Sequence, residues 1–285
     1  MAVNHYENFP VASWLCPPRL RPAVAAIYRF ARTADDIADE GQAEAQTRLT
    51  DLASYRADLT AAASGESISS RWPEVFEPLR PVLAQFRLPL GPLSDLLSAF
   101  EQDVRKTRYS DRAELLDYCR RSANPVGRLL LHLYGINGEL AFSRADAICT
   151  ALQLTNFWQD LSVDVSRGRC YVPDEDCKRH GIVWHELWER RDTAQTRAAV
   201  TDLVNWTKTL MRHGAPLVHQ VKGRAGWELR LVVQGGLRIL DKIDALHGAT
   251  LETRPLLGAG DAVPMVWRAL RMQDDCTEDA AAVVP

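Results

Sequence analysis

Asp35, Asp36, Asp39 and Glu40 crowd into the stretch TADDIADEG (33–41). Asp35 and Asp39 are four apart, so a helix stacks both carboxylates on one face. Like charges at that spacing destabilise a helix, and burial raises the cost. At about 4 Å, two carboxylates repel by ~4 kcal/mol in an effective dielectric near 20. A second stripe runs through LQLTNFWQDLSVDVSRGRCYVP (152–173), where Asn156, Asp160 and Asp164 recur every four residues. Phe157, Trp158, Leu161 and Val163 between them mark that helix as largely buried. A solvated acidic face would explain either stripe alone. Two stripes, each backed by an apolar side, point to metal ligation, because a divalent cation between carboxylates turns repulsion into attraction. The donors are all oxygen, without His or Cys, which suits Mg²⁺, with Mn²⁺ as the alternative. Mg²⁺ keeps several waters and is completed by substrate phosphates. Two facing helices of this kind would clamp a diphosphate.

The elements that must position these acids are helices almost throughout. After Pro17-Pro18, Leu20, Val24, Ile27 and Ala31 keep a helical period up to the first acidic cluster. Further helices are predicted over 44–63, stopped by SGES, and over 73–87 and 92–106. A fifth covers 111–134, with a break at Asn124-Pro125. The second acidic stripe lies on a long amphipathic helix over 144–166. Residues 167–181 read as a loop, followed by helices over 183–212, 214–247 and 262–273. No alternating strand pattern, Gly-rich turn, fixed-period repeat or linker interrupts this. The expectation is an all-α fold, a single-domain helical bundle over 1–273, with a disordered tail over 274–285.

Composition narrows the function classes. The 285 residues are 46% hydrophobic and 25% charged, enough for a substantial core. A net charge of −3 and the lack of a basic stripe argue against nucleic acid as a partner. The N-terminus has no signal-peptide pattern, and no run of about 18 apolar residues predicts a membrane span. Six cysteines form no CxxC pair, and seven histidines show no zinc spacing. Reduced thiols in the cytoplasm are the expectation.

Three stretches carry a resemblance. IYRFARTADDIAD (27–39) resembles the first Asp-rich motif of the squalene/phytoene synthase family, the head-to-head prenyl synthases. NFWQDLSVDVSRGRCYVP (156–173) resembles its second motif, and YCRRSANPVG (118–127) its central segment. The likeness runs from about residue 5 to about 245. It implies an isoprenoid synthase-type bundle around a central apolar cavity, with both acidic motifs at its mouth. Within the family, HYENFPVAS, NFWQD and ELRLVVQGGLRILDKI most resemble the branch acting on presqualene diphosphate. That branch releases diphosphate and adds water, giving hydroxysqualene for bacterial hopanoids. Gln159, where prenyl-coupling members usually carry Arg, and Gly235-Gly236, where they often carry an aromatic, favour this branch. The alternative is a transferase joining two farnesyl or geranylgeranyl diphosphates. A non-catalytic scaffold fits the intact acidic motifs poorly.

The resemblance also implies roles. Asp35, Asp39, Asn156, Asp160 and Asp164 would hold Mg²⁺, with Asp36 assisting. Arg32 and Arg169 would contact diphosphate oxygens. Phe9, Tyr28, Tyr118 and Trp158 would stabilise a cation by their ring faces. Tyr171 belongs to the same substrate site, and Asn124 and Gln159 are the candidates for positioning the attacking water. No NADPH is expected. The substrate is a prenyl diphosphate lipid, so transient contact with a membrane is expected, without an anchor; the sequence leaves the oligomeric state open. Plainer readings stand beside these. Tyr28 and Trp158 fit core packing, Arg32 could only pair with Asp36, and the glycine pair fits close helix packing as well as substrate space.

Overall fold

One helix, α7 (Glu139–Gln159), is buried on nearly every side from Ala147 to Gln159. The other elements are arranged around it. The computed structural model describes residues 15–272. Phe9 and the tail expected over 274–285 lie outside the described residues.

Before α7 come α1 (Arg21–Asp39), α2 (Ala45–Ser64), α3 (Pro73–Phe86), α4 (Leu90–Asp103), α5 (Arg112–Ser122) and α6 (Asn124–Tyr134). After it come α8 (Leu161–Ser166), α9 (Asp174–His180), α10 (Trp184–Trp188), α11 (Ala194–Gly214), α12 (Gly223–Ala245) and α13 (Ala262–Leu270), with 3₁₀ turns at Ala215–His219 and Ala259–Asp261. The described residues contain no strand, so the all-α expectation is met.

α1 starts on a proline in its first turn and buries Ala23, Ala26, Ile27, Phe30, Ala34 and Ala38, a stripe at helical spacing. That stripe packs with α2–α4 around Phe30, Tyr55 and Phe76, where the Tyr55 hydroxyl donates to the Phe30 carbonyl at 3.0 Å. A second core joins α5, the C-terminal half of α7, α11 and α12. A third joins α6, the N-terminal half of α7 and α12. The five described cysteines are free and buried.

Several boundaries differ from expectation. The helix expected over 144–166 starts at Glu139 and breaks at Asp160, whose φ −99° and ψ 13° lie in the bridge region. It is also buried rather than amphipathic, since helices pack on it from several directions. The loop expected over 167–181 contains α9, whose first turn is acidic and last turn basic, as the helix dipole favours. The helix expected over 183–212 is two. Arg190 turns left-handed at φ 55°, and the Thr193 hydroxyl caps the restart by accepting from the Thr196 amide. The helix expected over 214–247 begins with the 3₁₀ turn and becomes α-helical only at Gly223. Gly236 serves close packing, whereas Gly235 has room for an ordinary contact. A Cβ on Gly236 would come 2.8 Å from Met211 Cε, and one on Gly235 3.4 Å from Met265 Cε on α13.

Candidate active site

α1 and α7 run with their C-terminal ends at the same end of one cavity of about 480 Å³. On α1 the lining changes along the helix from Val24 and Ile27, through Tyr28, to Arg32 and Asp35. On α7 it changes likewise from Cys149 and Leu152 to Asn156, Gln159 and Asp160. One end is therefore polar and acidic, and the other is apolar. Phe100, Val126 and Leu130 complete the apolar wall. A smaller, almost wholly apolar cavity shares Val24, Leu130 and Cys149 with it and lengthens the greasy end.

Three arginines clasp the acids. Arg32 reaches Asp35 at 3.3 Å, Asp36 at 2.7 Å and Glu40 at 2.9 Å. Arg169, just past the second motif, forks onto both oxygens of Asp39 in the first, with Nη1 to Oδ2 at 2.8 Å. That fork joins the two motifs across the site. Arg254 makes a third fork, with Nε to Asp160 Oδ1 at 2.5 Å and Nη2 to Oδ2 at 3.0 Å. Gln159 holds that chain in place, its amide donating to the Pro255 carbonyl at 2.8 Å.

Asp164 is mostly buried. Burial, then the neighbouring Asp160 charge, pushes its carboxyl up to about 7, against the pull of Arg169. Asp103, from the end of α4, is the second carboxyl pushed up to about 7, chiefly by burial. The Tyr118 hydroxyl donates to its Oδ2 at 2.9 Å, while Oδ1 is buried without a hydrogen-bond partner. A lone buried carboxylate oxygen is costly and calls for a proton or a water.

Tyr28, Arg32, Asp35, Tyr118, Asn156, Gln159 and Asp160 thus share one cavity. Asp39, Asp164 and Arg169 lie just outside the lining; Arg169 forks onto Asp39 and also reaches the backbone carbonyl of Asp103, which lines the cavity, at 3.5 Å. Other expectations need correction. Asn124 does not line the cavity: it is buried, with its side-chain carbonyl accepting from the Thr150 hydroxyl at 2.9 Å. Trp158 points to α11, donating to the Thr207 hydroxyl at 2.8 Å. Tyr171 is a packed wall, stacked on Phe157 with centroids 3.7 Å apart. Asp36 turns to Arg32 and is not among the lining residues. Asp103 and Arg254, missed in the sequence, are both in the lining.

The donor set around the polar end is four carboxylates and one amide oxygen, drawn from α1, the end of α7 and α8. It fits a hard divalent cation that also binds phosphate oxygens. Elsewhere, Asp176, His180 and Asp202 bring ligand atoms within 4.8 Å of one another. Arg112 bridges its two carboxylates at 2.7 and 2.8 Å, so that cluster reads as a structural ion-pair network tying α5 to α9 and α11. No helix among the described residues is long and apolar enough to cross a membrane.

Comparison with known proteins agrees with this geometry. The sequence model of the squalene/phytoene synthase family matches residues 2–260. A hydroxysqualene synthase of Rhodopseudomonas palustris is 36% identical over 228 residues, covering 79% of this chain and 75% of that protein. The hydroxysqualene synthase of Zymomonas mobilis is 38% identical over 216 residues, 73% of this chain and 69% of that one. The crystal structure of the squalene synthase HpnC from Alicyclobacillus acidocaldarius superposes with a TM-score of 0.78 at 35% identity, covering 85% of this chain and 90% of that one.

Proposed function

This chain belongs to the squalene/phytoene synthase family, and we propose that it converts presqualene diphosphate and water into hydroxysqualene and diphosphate. The observation that carries this reading is the graded cavity. Its acidic, arginine-lined end suits a diphosphate, and its apolar end suits a long prenyl skeleton. The names of relatives at 36% and 38% identity support the water-adding branch.

Asp35, Asp39, Asn156, Asp160 and Asp164 would hold Mg²⁺, which when bound neutralises the leaving diphosphate. Arg32, Arg169 and Arg254 would release their carboxylates and turn to diphosphate oxygens through charge-assisted bonds. The carbon–oxygen bond breaks, its electron pair leaves with diphosphate, and a cyclopropylcarbinyl cation remains. Tyr28 and Tyr118 line the cavity, where their rings would stabilise that charge. The apolar wall keeps stray water off the cation while it rearranges. Water then adds to the tertiary carbon and loses one proton. Asp103, with its unpaired Oδ1 beside the Tyr118 hydroxyl, is a better-placed acceptor for that water than Asn124. Gln159 remains a second polar group at the wall, although its amide nitrogen is already engaged.

A coupling reaction between two farnesyl or geranylgeranyl diphosphates is the second reading. Arg254 favours it, because it restores beside Asp160 the guanidinium that Gln159 lacks. One experiment separates the two. Purified protein with Mg²⁺ in ¹⁸O-water should turn presqualene diphosphate into labelled alcohol, with no diversion to squalene on adding NADPH, and leave farnesyl diphosphate untouched. Coupled product from farnesyl diphosphate and no alcohol would replace the first reading with the second.

A further inference from the structure

Hydroxyls inside the helices of this protein have a default partner. Those of Ser64, Thr155 and Thr207 each donate to the carbonyl four residues back, at 3.1, 2.6 and 2.8 Å. Ser122, the last residue of α5, does not follow them: its Oγ is buried without a hydrogen-bond partner. A buried hydroxyl left unpaired is costly, so it marks a place where a ligand or a water completes the site. Ser122 lines the large cavity, and so does Asp103, whose Oδ1 is buried and unpaired as well.

Contacts on either side fix what faces Ser122. Tyr118, one turn earlier, packs against Phe157 of α7 with ring centroids 6.2 Å apart. Asn124, two residues later, accepts from Thr150 of α7 at 2.9 Å. The chain therefore runs antiparallel to α7 here. That register sets Ser122 opposite Gln153, which lies one turn before Phe157 and also lines the cavity. Around this pair the wall is apolar, with Phe100, Ala123, Val126 and Leu152. Gln153 sits about 10 Å along α7 from Asp160, away from the end that suits a diphosphate.

We propose that Ser122 and Gln153 hold the water that attacks the final cation. This role deepens the proposed function and rests on it. The water accepts from the Gln153 amide and donates to Ser122 Oγ and Asp103 Oδ1, the usual number of partners for a buried water. Its remaining lone pair faces the cavity. That lone pair forms the carbon–oxygen bond to the tertiary carbon. One water O–H bond breaks, its electron pair stays on oxygen, and the proton passes to Asp103. The other O–H becomes the product hydroxyl. A single anchored water lets an apolar cavity supply its nucleophile without solvating the earlier cyclopropylcarbinyl cation.

Product analysis with presqualene diphosphate and Mg²⁺ tests it. The readout is the ratio of alcohol to hydrocarbon among the products, which a loosened fold would not move, because it slows every product alike. Ser122→Ala and Ser122→Val should each lower that ratio about tenfold, the value of one neutral hydrogen bond. Gln153→Leu should lower it by a similar factor. Ser122→Thr has nearly the shape of the Val variant but carries a hydroxyl, and should keep the ratio near that of the wild type. An unchanged ratio in both Ser122→Ala and Ser122→Val overturns the role of Ser122. So does an equal loss in Ser122→Thr and Ser122→Val, because bulk and not the hydroxyl would then be the cause. Wild-type protein that makes only coupled product from farnesyl diphosphate removes the proposed reaction and this role with it. Wild-type alcohol with unmoved variants removes this role alone.

Discussion

The acidic stripes at the C-terminal ends of α1 and α7 have the same spacing and different surroundings. α1 runs unbroken to Asp39, and its acids stay near solvent, with the Asp35 side chain 41% exposed. Arg32, on the same helix, serves three of them. The second stripe is broken at Asp160, so Asp164 continues on α8 and is more deeply covered, and burial pushes its carboxyl up to about 7. Its arginine, Arg254, comes from 94 residues away. Spacing thus predicts which carboxylates meet, while helix continuity and distant chain decide what each carboxylate experiences. Asp39 and Asp160 are alike in this respect, each partly covered and each gripped by an arginine brought in by tertiary structure; the clamps differ in their other members, Asp35 and Asp36 paired locally with Arg32 on one side and buried Asp164 on the other.

The largest effects should come from emptying either clamp. Asp39→Ala and Asp160→Ala should each lower kcat by about 10²–10³ or more, the scale of removing one strong electrostatic contact to a leaving group. EDTA should abolish turnover in the wild type. Asp36→Ala, whose carboxylate faces Arg32 and not the cavity, should cost less than about tenfold, as for a surface pair. Equal losses at 36 and 39 would erase the distinction between a ligand and its neighbour. Asp103→Asn should lower alcohol formation by about 10²-fold, in the range of a lost general base, with binding of the diphosphate kept. Unchanged ¹⁸O incorporation at normal rate would remove Asp103 from the reaction.

How much of this the sequence disclosed follows the same division. The first clamp was readable, because the apolar period and the acids lie on one continuous helix. The second was readable as a motif but not as a shape. Leu161 and Val163 continue the period through Asp160, so nothing local announces the break. Arg254 had no local signal, since only the folded chain brings it to Asp160. Asp103 did have one. It lies seven residues after Leu96 and four after Ala99, an acid on an otherwise buried stripe of α4. Thr193 was also legible as a cap and would have divided the helix expected over 183–212.

A middle-sized effect sharpens the role of the borrowed arginine. Arg254→Gln should raise KM about tenfold with a smaller change in kcat, the value of one charge-assisted contact. Arg32→Gln should do less, because Arg32 spreads its charge over three acids. The reverse order in steady-state kinetics would make the first clamp, not the second, the main diphosphate grip.

The smallest effect is on stability, and it separates the clamps without any substrate. In the metal-free protein, burial lifts the Asp164 carboxyl from an ordinary value near 3.8 to about 7. The folded state therefore binds that proton more tightly than the unfolded chain does. Its contribution to stability is complete below about pH 4 and is lost as pH rises through about 7. Asp103 has the same sign and adds to the trend. Denaturant midpoints measured in EDTA should fall from pH 5 to pH 8 in the wild type. Asp164→Asn removes one of the two groups, so its midpoint should fall less. At pH 8 the variant should be the more stable protein by on the order of 1 kcal/mol. Asp35→Asn, on the exposed stripe, should shift stability by no more than about 0.5 kcal/mol and leave the pH trend intact. A wild-type pH trend retained in Asp164→Asn would place that carboxyl in water, and the two clamps would then differ in shape alone.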